Sequence, residues 1–190
     1  MYLNCHSYYS LRYGTLPLDK LVETAANIGI EAMALTDINN SMGIVDFVKE
    51  CAKKGVKPIA GIEFRDGNKL LYIGITKNNP GFKELNDFLS HHNINGTPLP
   101  PRPPAFDNCY VIYPFGKFQP TELRDNEFTG MRPSELNLLL SSGYRHRQEK
   151  LVALCPVTFT DENGYELHRN LRAIDNNILL SMLTPDMVAP

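Results

Sequence analysis

Three short apolar runs near the start of the chain, Met1–Leu3, Ala32–Leu35 and Pro58–Ile62, each close on a polar phrase. The phrases are Asn4-Cys5-His6-Ser7, Thr36-Asp37-Ile38-Asn39 and Gly61-Ile62-Glu63-Phe64. Runs of this length between turn signals read as buried strands. Between them, apolar residues recur at helical spacing: Leu18, Leu21, Val22, Ala25 and Ala26 before Gly29, then Ile44, Phe47, Val48 and Cys51 before Gly55. Pro17 suits a first helical turn and Asp19 suits the positive end of its dipole. Strands that alternate with helices predict βαβ units and a parallel sheet.

The rhythm then changes. Lys57–Glu63 reads as a strand, Arg65-Asp66-Gly67-Asn68 as a hairpin turn and Lys69–Thr76 as the returning strand, which predicts one antiparallel pair. Asn79-Pro80 starts a helix with Phe82, Leu85, Phe88 and Leu89 on its buried face, ending near His91-His92-Asn93. Residues 94–106 hold Gly96, Pro98, Pro100, Pro101, Pro103 and Pro104, a composition that predicts a stiff, polyproline-like surface loop. Beyond it, Cys109–Tyr113 reads as a strand, Pro133–Leu140 as a helix and Leu151–Phe159 as a strand. A last helix is expected over Tyr165–Leu183, with Leu167, Leu171, Ile174, Ile178 and Leu179 as its apolar set. The organisation expected is one domain over 1–183 and a tail or linker over 184–190.

Composition narrows the class. With 43% hydrophobic and 21% charged residues in a chain of 190, the sequence is that of an ordinary globular domain with a sizeable core. A net charge of -2 supplies no overall basic field to draw nucleic acid onto this chain. Cys5, Cys51, Cys109 and Cys155 are scattered without a C-x-x-C pair, which argues against a zinc knuckle or a redox motif. No signal peptide and no apolar run of about 18 residues is seen, so a cytoplasmic protein with reduced thiols and no membrane contact is expected.

In a parallel sheet or barrel, residues just past the carboxyl ends of strands share one rim. His6, Asp37 and Glu63 are therefore expected to meet, and imidazole with carboxylates suggests metal-assisted hydrolysis. Structural roles compete with that reading. His6 and Glu63 would also satisfy each other by hydrogen bonding, and Asp37, followed by Asn39, Asn40 and Ser41, would also serve as a loop or helix-entry cap. His168 reads as a packed or surface histidine and His146, between Arg145 and Arg147, as part of a solvated loop. Leu35, Ile59, Ile62 and the Tyr8-Tyr9 pair read as core or pocket wall.

Asn4-Cys5-His6-Ser7-Tyr8-Tyr9-Ser10-Leu11-Arg12-Tyr13-Gly14 resembles the opening motif of PHP (polymerase and histidinol phosphatase) domains. Ala34–Asp37, Gly43–Phe47 and Gly55–Phe64 resemble the version at the amino terminus of bacterial DNA polymerase III alpha subunits. The likeness is dense over residues 2–92, thin over 93–149, and returns over Lys150–Asn177. It implies a distorted parallel β/α barrel with a cluster of up to three metal ions on its carboxyl rim. Against that pattern the opening His-x-His falls on Asn4-Cys5-His6 and the next aspartate on Tyr13. The Thr-Asp-His falls on Thr36-Asp37-Ile38 and the late Asp-x-His on Pro156-Val157-Thr158. The middle ligands have no motif here; His91, His92 and Cys109 are the nearby candidates.

The resemblance thus implies a vestigial rim pocket of Asn4, His6, Tyr13, Asp37, Ile38, Glu63 and Thr158. No residue in it is expected to be catalytic and no cofactor is expected, His6 and Glu63 being weak candidates for a single divalent metal. By the same resemblance, the full-length protein would be a DNA-directed DNA polymerase, a nucleotidyltransferase of DNA replication. This domain would serve it as a scaffold for the other polymerase domains and a docking surface for the proofreading subunit, meeting DNA only through the full-length protein. The alternative is a metal-dependent PHP phosphoesterase acting on phosphate esters. A nonenzymatic phosphate-binding module is a third reading without a positive signal.

Overall fold

The apolar runs lie side by side in the order in which they occur along the chain. A computed structural model, which describes residues 1–189, places seven strands in one sheet, each beside its successor. They are β1 (Tyr2–Cys5), β2 (Ala32–Leu35), β3 (Lys57–Asp66), β4 (Lys69–Thr76), β5 (Cys109–Pro114), β6 (Glu127–Met131) and β7 (Leu151–Ala153). The first three and the last three pair parallel, whereas β4 runs against both β3 and β5. One antiparallel pair was expected and two are present, because a strand reversed by a hairpin opposes both neighbours.

The sheet curls toward closure. Past β7, Val157 bridges Cys5 in parallel, with His6 N–H donating to its carbonyl at 2.8 Å and its own N–H donating to the Asn4 carbonyl at 2.9 Å. The result is a distorted barrel with a mixed sheet and a short seam. Five helices flank it: α1 (Leu18–Asn27), α2 (Ile44–Lys54), α3 (Asn79–Asn95), α4 (Leu136–Leu139) and α5 (Glu162–Asn176). Leu21 and Val22 of α1 and Phe47 and Cys51 of α2 pack with Leu35 in one core. Alternation along β4 sends Tyr72 into a second core with Phe64 and Leu85 of α3, and Ile73 and Ile75 into a third with Ala34 and Ile112. Glu63 pairs with Ile73 and shares its face of the sheet.

Several expectations are corrected. The strand expected over Leu151–Phe159 is only β7 plus the bridge at Val157; Pro156 has no N–H to donate to a ladder. The helix expected over Pro133–Leu140 is a 3-10 turn, Pro133–Glu135, followed by the single turn of α4, with Leu136, Leu138 and Leu140 exposed. The last helix stops at Asn176, where Asn177 takes a left-handed conformation with φ 52°. Its buried face is His168, Arg172 and Ala173, while Leu167 and Ile174 face outward, as does Leu179 beyond its end. Val48 and Tyr8 are also exposed, Tyr8 stacking on Tyr9 at 4.7 Å between ring centroids. β6 was unforeseen.

The proline-rich stretch begins inside α3 and is anchored rather than loose. Pro103 and Phe106 are buried, and Arg102 pairs with the carboxylate of Glu127 on β6. Glu127 is 1% exposed and also accepts from the Tyr113 hydroxyl and the Arg124 N–H, both at 2.8 Å. Burial alone would raise its pKa, but these donors hold it below the usual carboxylate range. Among the described residues no helix is long and apolar enough to cross a membrane.

Candidate functional site

β1 ends at Cys5, β2 at Leu35 and β3 passes through Glu63, so parallel register carries His6, Asp37 and Glu63 to one end of the sheet. There the side chains of His6 and Glu63 meet: Nε2 lies 3.0 Å from Oε2. Asn4 Nδ2 donates to the same oxygen at 2.5 Å, and Arg65 Nε donates to Oε1. A carboxylate only accepts, so His6 Nε2 donates to it, and His6 Nδ1 lies 3.0 Å from the Thr158 hydroxyl. Burial pushes Glu63 up, yet the neighbouring His6 and Arg65 charges and the His6 and Asn4 hydrogen bonds outweigh it and bring its pKa down to about 2. Glu63 is ionised, 1% exposed and fully engaged.

Tyr13 covers this group. Its ring meets His6 edge-on at 5.3 Å and His168 edge-on at 4.7 Å, and the Arg65 guanidinium lies over it at 4.3 Å. Arg65 Nη2 donates to the Tyr13 hydroxyl at 3.0 Å, and Arg172 of α5 approaches the ring at 5.2 Å. Tyr13 is only 3% exposed. The loop that delivers it depends on Gly14, where a Cβ would stand 1.8 Å from the Ser7 carbonyl oxygen. α5 then fastens the loop: His168 Nδ1 lies 2.6 Å from the Tyr13 carbonyl oxygen and accepts at Nε2 from the Ala189 N–H at 2.8 Å.

Of the two capping roles expected for Asp37, it takes the loop and not the helix entry. It accepts from the Ser7 N–H at 2.7 Å, the Ser7 hydroxyl at 2.8 Å and the Ser10 hydroxyl at 2.6 Å, tying the β2 end to the loop after β1. Burial raises its pKa, and the serine donors work against that rise. The α2 entry at Gly43 has no side-chain cap. Ile38 is half-buried and acts through its backbone, bridging Glu63 and donating its N–H to Ser10 Oγ at 3.1 Å. His146 is exposed. His91 and His92 bond to Asn95 and Thr97 around the end of α3, and Cys109 sits against Gly81 and Glu84. All three therefore have partners outside the rim.

Arg65 is the residue that sequence reasoning missed, because it was absorbed into a turn. β3 runs on to Asp66, and side chains two apart on a strand share a face, so Glu63-x-Arg65 was the available signal. A metal cluster does not fit this donor set. His6 is spent on Glu63 and Thr158, and Glu63 on Asn4, His6 and Arg65. A dication would have to displace a guanidinium or lie beside it. The orphaned buried atom here is Asn4 Oδ1, a neutral acceptor. Among the described residues, no group of three or more His, Cys, Asp or Glu is placed to hold a metal.

Comparison with known proteins gives the site a context. A family model described as the PHP domain matches residues 3–113. A DNA polymerase III subunit alpha from Vibrio cholerae is 28% identical over 186 residues, covering 94% of this chain and 15% of that protein. One from Treponema pallidum is 34% identical over 116 residues, 54% of this chain and 10% of that protein. The chain thus spans a small part of the curated relatives it matches. Among solved structures, an amidohydrolase from Chromobacterium violaceum overlaps with a TM-score of 0.41 at 22% identity, covering 50% of this chain and 34% of that one.

Proposed function

We propose that this chain, which belongs to the PHP domain family, is a metal-free structural domain of a DNA polymerase III alpha subunit. In that role it is a cytoplasmic scaffold for the other domains of the polymerase and a docking surface for the proofreading subunit. It turns over no phosphate ester itself. DNA synthesis belongs to the remainder of the polymerase, and DNA is met there.

The observation that carries the scaffold reading is the closure of the rim. Glu63 is saturated by Asn4, His6 and Arg65, and Tyr13 with α5 lies over it. A hydrolytic site needs open coordination positions and room for a phosphoryl group, and these side chains take up both. The similarity of 94% of the chain to the Vibrio cholerae subunit supports the assignment to a polymerase.

Two measurements test it. The reading frame encoding this chain is expected to continue for the length of a polymerase; a frame ending near this chain's last residue would defeat the assignment. The purified chain is expected to hydrolyse neither phosphomonoesters nor phosphodiesters with added manganese or zinc. Metal-stimulated turnover that vanishes in both His6→Ala and Glu63→Gln would defeat the scaffold reading.

A further inference from the structure

We infer that the Arg65 guanidinium is the built-in cation of this rim, neutralising Glu63 in the way a bound metal would and keeping divalent metal out. The inference deepens the metal-free reading above and rests on it.

The geometry supplies three supports. First, Arg65 is held as a fixed group: Nε bonds Glu63, Nη2 bonds the Tyr13 hydroxyl, and the guanidinium plane lies over the Tyr13 ring. Its side chain is 12% exposed, against 2% for Glu63. Second, the charge count closes locally. Glu63 is ionised, His6 and Asn4 hydrogen-bond to its Oε2, and Arg65 sets a full opposing charge against Oε1. Buried charges persist when they are paired and hydrogen-bonded, and removal of one partner leaves the other stranded. Third, the atoms a metal would need are those Arg65 and its partners already use. Glu63 Oε1 faces the guanidinium, and Oε2 faces His6 Nε2 and Asn4 Nδ2.

Removing Arg65 would therefore have two linked effects. It would strand an ionised carboxylate in a closed site, and it would free Glu63 Oε1 beside a space of guanidinium size, with His6 and Asn4, whose Oδ1 is unpartnered, on the other oxygen of the same carboxylate. An imidazole, a carboxylate and an amide oxygen form a sparse but usable set for zinc. A metal that binds only the folded chain stabilises it by mass action. Arg65→Gln should thus turn a metal-indifferent chain into one that zinc stabilises.

The experiment compares the parent chain with Arg65→Gln, Glu63→Gln and the double variant. Thermal midpoints are measured in chelator and in zinc chloride, and bound zinc is measured by equilibrium dialysis. In chelator, Arg65→Gln is expected to fall by about 6–20 °C, and the double variant to regain most of that loss. Only Arg65→Gln is expected to bind zinc and to rise with it. If Arg65→Gln is unfolded in chelator, refolding in zinc is expected to return its circular dichroism to that of the parent.

Three results would overturn the inference: an equal zinc response in the parent, no zinc effect on Arg65→Gln in either form, or an Arg65→Gln loss undiminished by Glu63→Gln. None of these bears on the polymerase assignment, which the reading frame decides.

Discussion

His168 and Tyr13 clasp α5 to the loop after β1, the rings meeting edge-on at 4.7 Å and His168 Nδ1 lying 2.6 Å from the Tyr13 carbonyl oxygen. Because Nε2 accepts from the Ala189 N–H, Nδ1 must carry the proton and the ring must be neutral. Burial lowers the His168 pKa below its ordinary 6.5, only partly opposed by the bond to Tyr13.

The sign of the pH dependence follows. A histidine kept neutral in the folded state contributes stability that is full above its unfolded pKa and is lost as pH falls. Urea midpoints are expected to decline as pH drops below about 6.5, and His168→Ala should flatten that decline while lowering the midpoint throughout. A parent chain equally stable at pH 7.5 and 5.5 would contradict this.

Glu63 acts in a second, lower window. Its pKa falls from 4.5 to about 2 in the folded chain, so its contribution is present above pH 4.5 and disappears as pH falls toward 2. The amount at stake is on the order of 3 kcal/mol. Acid titration followed by circular dichroism should show this loss in the parent. Glu63→Gln, already destabilised at pH 7, should lose less across the same interval.

Tyr13 is both a plug and an acceptor, and two substitutions separate these roles. Tyr13→Phe removes the Arg65 bond to the hydroxyl and should cost about 1 kcal/mol. Tyr13→Ala opens a cavity between His6 and His168 and should cost about 3–5 kcal/mol. Denaturant unfolding measures both, and similar losses would show that the ring itself contributes little.

Arg102 should control the proline-rich segment. Arg102→Ala leaves the Glu127 carboxylate buried with its strongest partner gone and should destabilise the chain by about 3 kcal/mol. Limited proteolysis is expected to cut within residues 97–106 faster in this variant than in the parent. An unchanged cleavage rate would mean that Pro103 and Phe106 hold the segment without the ion pair.

Much of the barrel was legible because its first five strands are apolar runs bounded by Gly, Pro and Asn, and its first three helices carry regular apolar stripes. The meeting of His6 and Glu63 was legible for the same reason, since parallel strands place their carboxyl ends together. β6 was not, because its buried positions include Glu127 and Thr129, satisfied by Arg102 and by the Tyr144 hydroxyl 2.6 Å away. α5 misleads in the same way. It turns His168 and Arg172 inward to backbone carbonyls of the loop and of Met187, leaving Leu167 and Ile174 outside. Arg65 was hidden because the hairpin-turn signal of Arg65-Asp66-Gly67-Asn68 took in the last two residues of β3. In each case, partners distant in sequence reverse the ordinary preference of a side chain.

The seam at Val157 bears on how such a chain is made. The free edge of β1 is completed by a residue 152 positions beyond Cys5 in the chain. Synthesis at about 5–20 residues per second leaves that edge waiting on the order of 10 s after β1 emerges. During that interval the Asn4 carbonyl and the His6 N–H have no strand partner, and unpaired strand edges invite pairing with other chains. A barrel joined between its first strand and a late segment therefore depends on slow, long-range closure. Its yield in the cell should respond to translation rate and chaperone supply more than its equilibrium stability does.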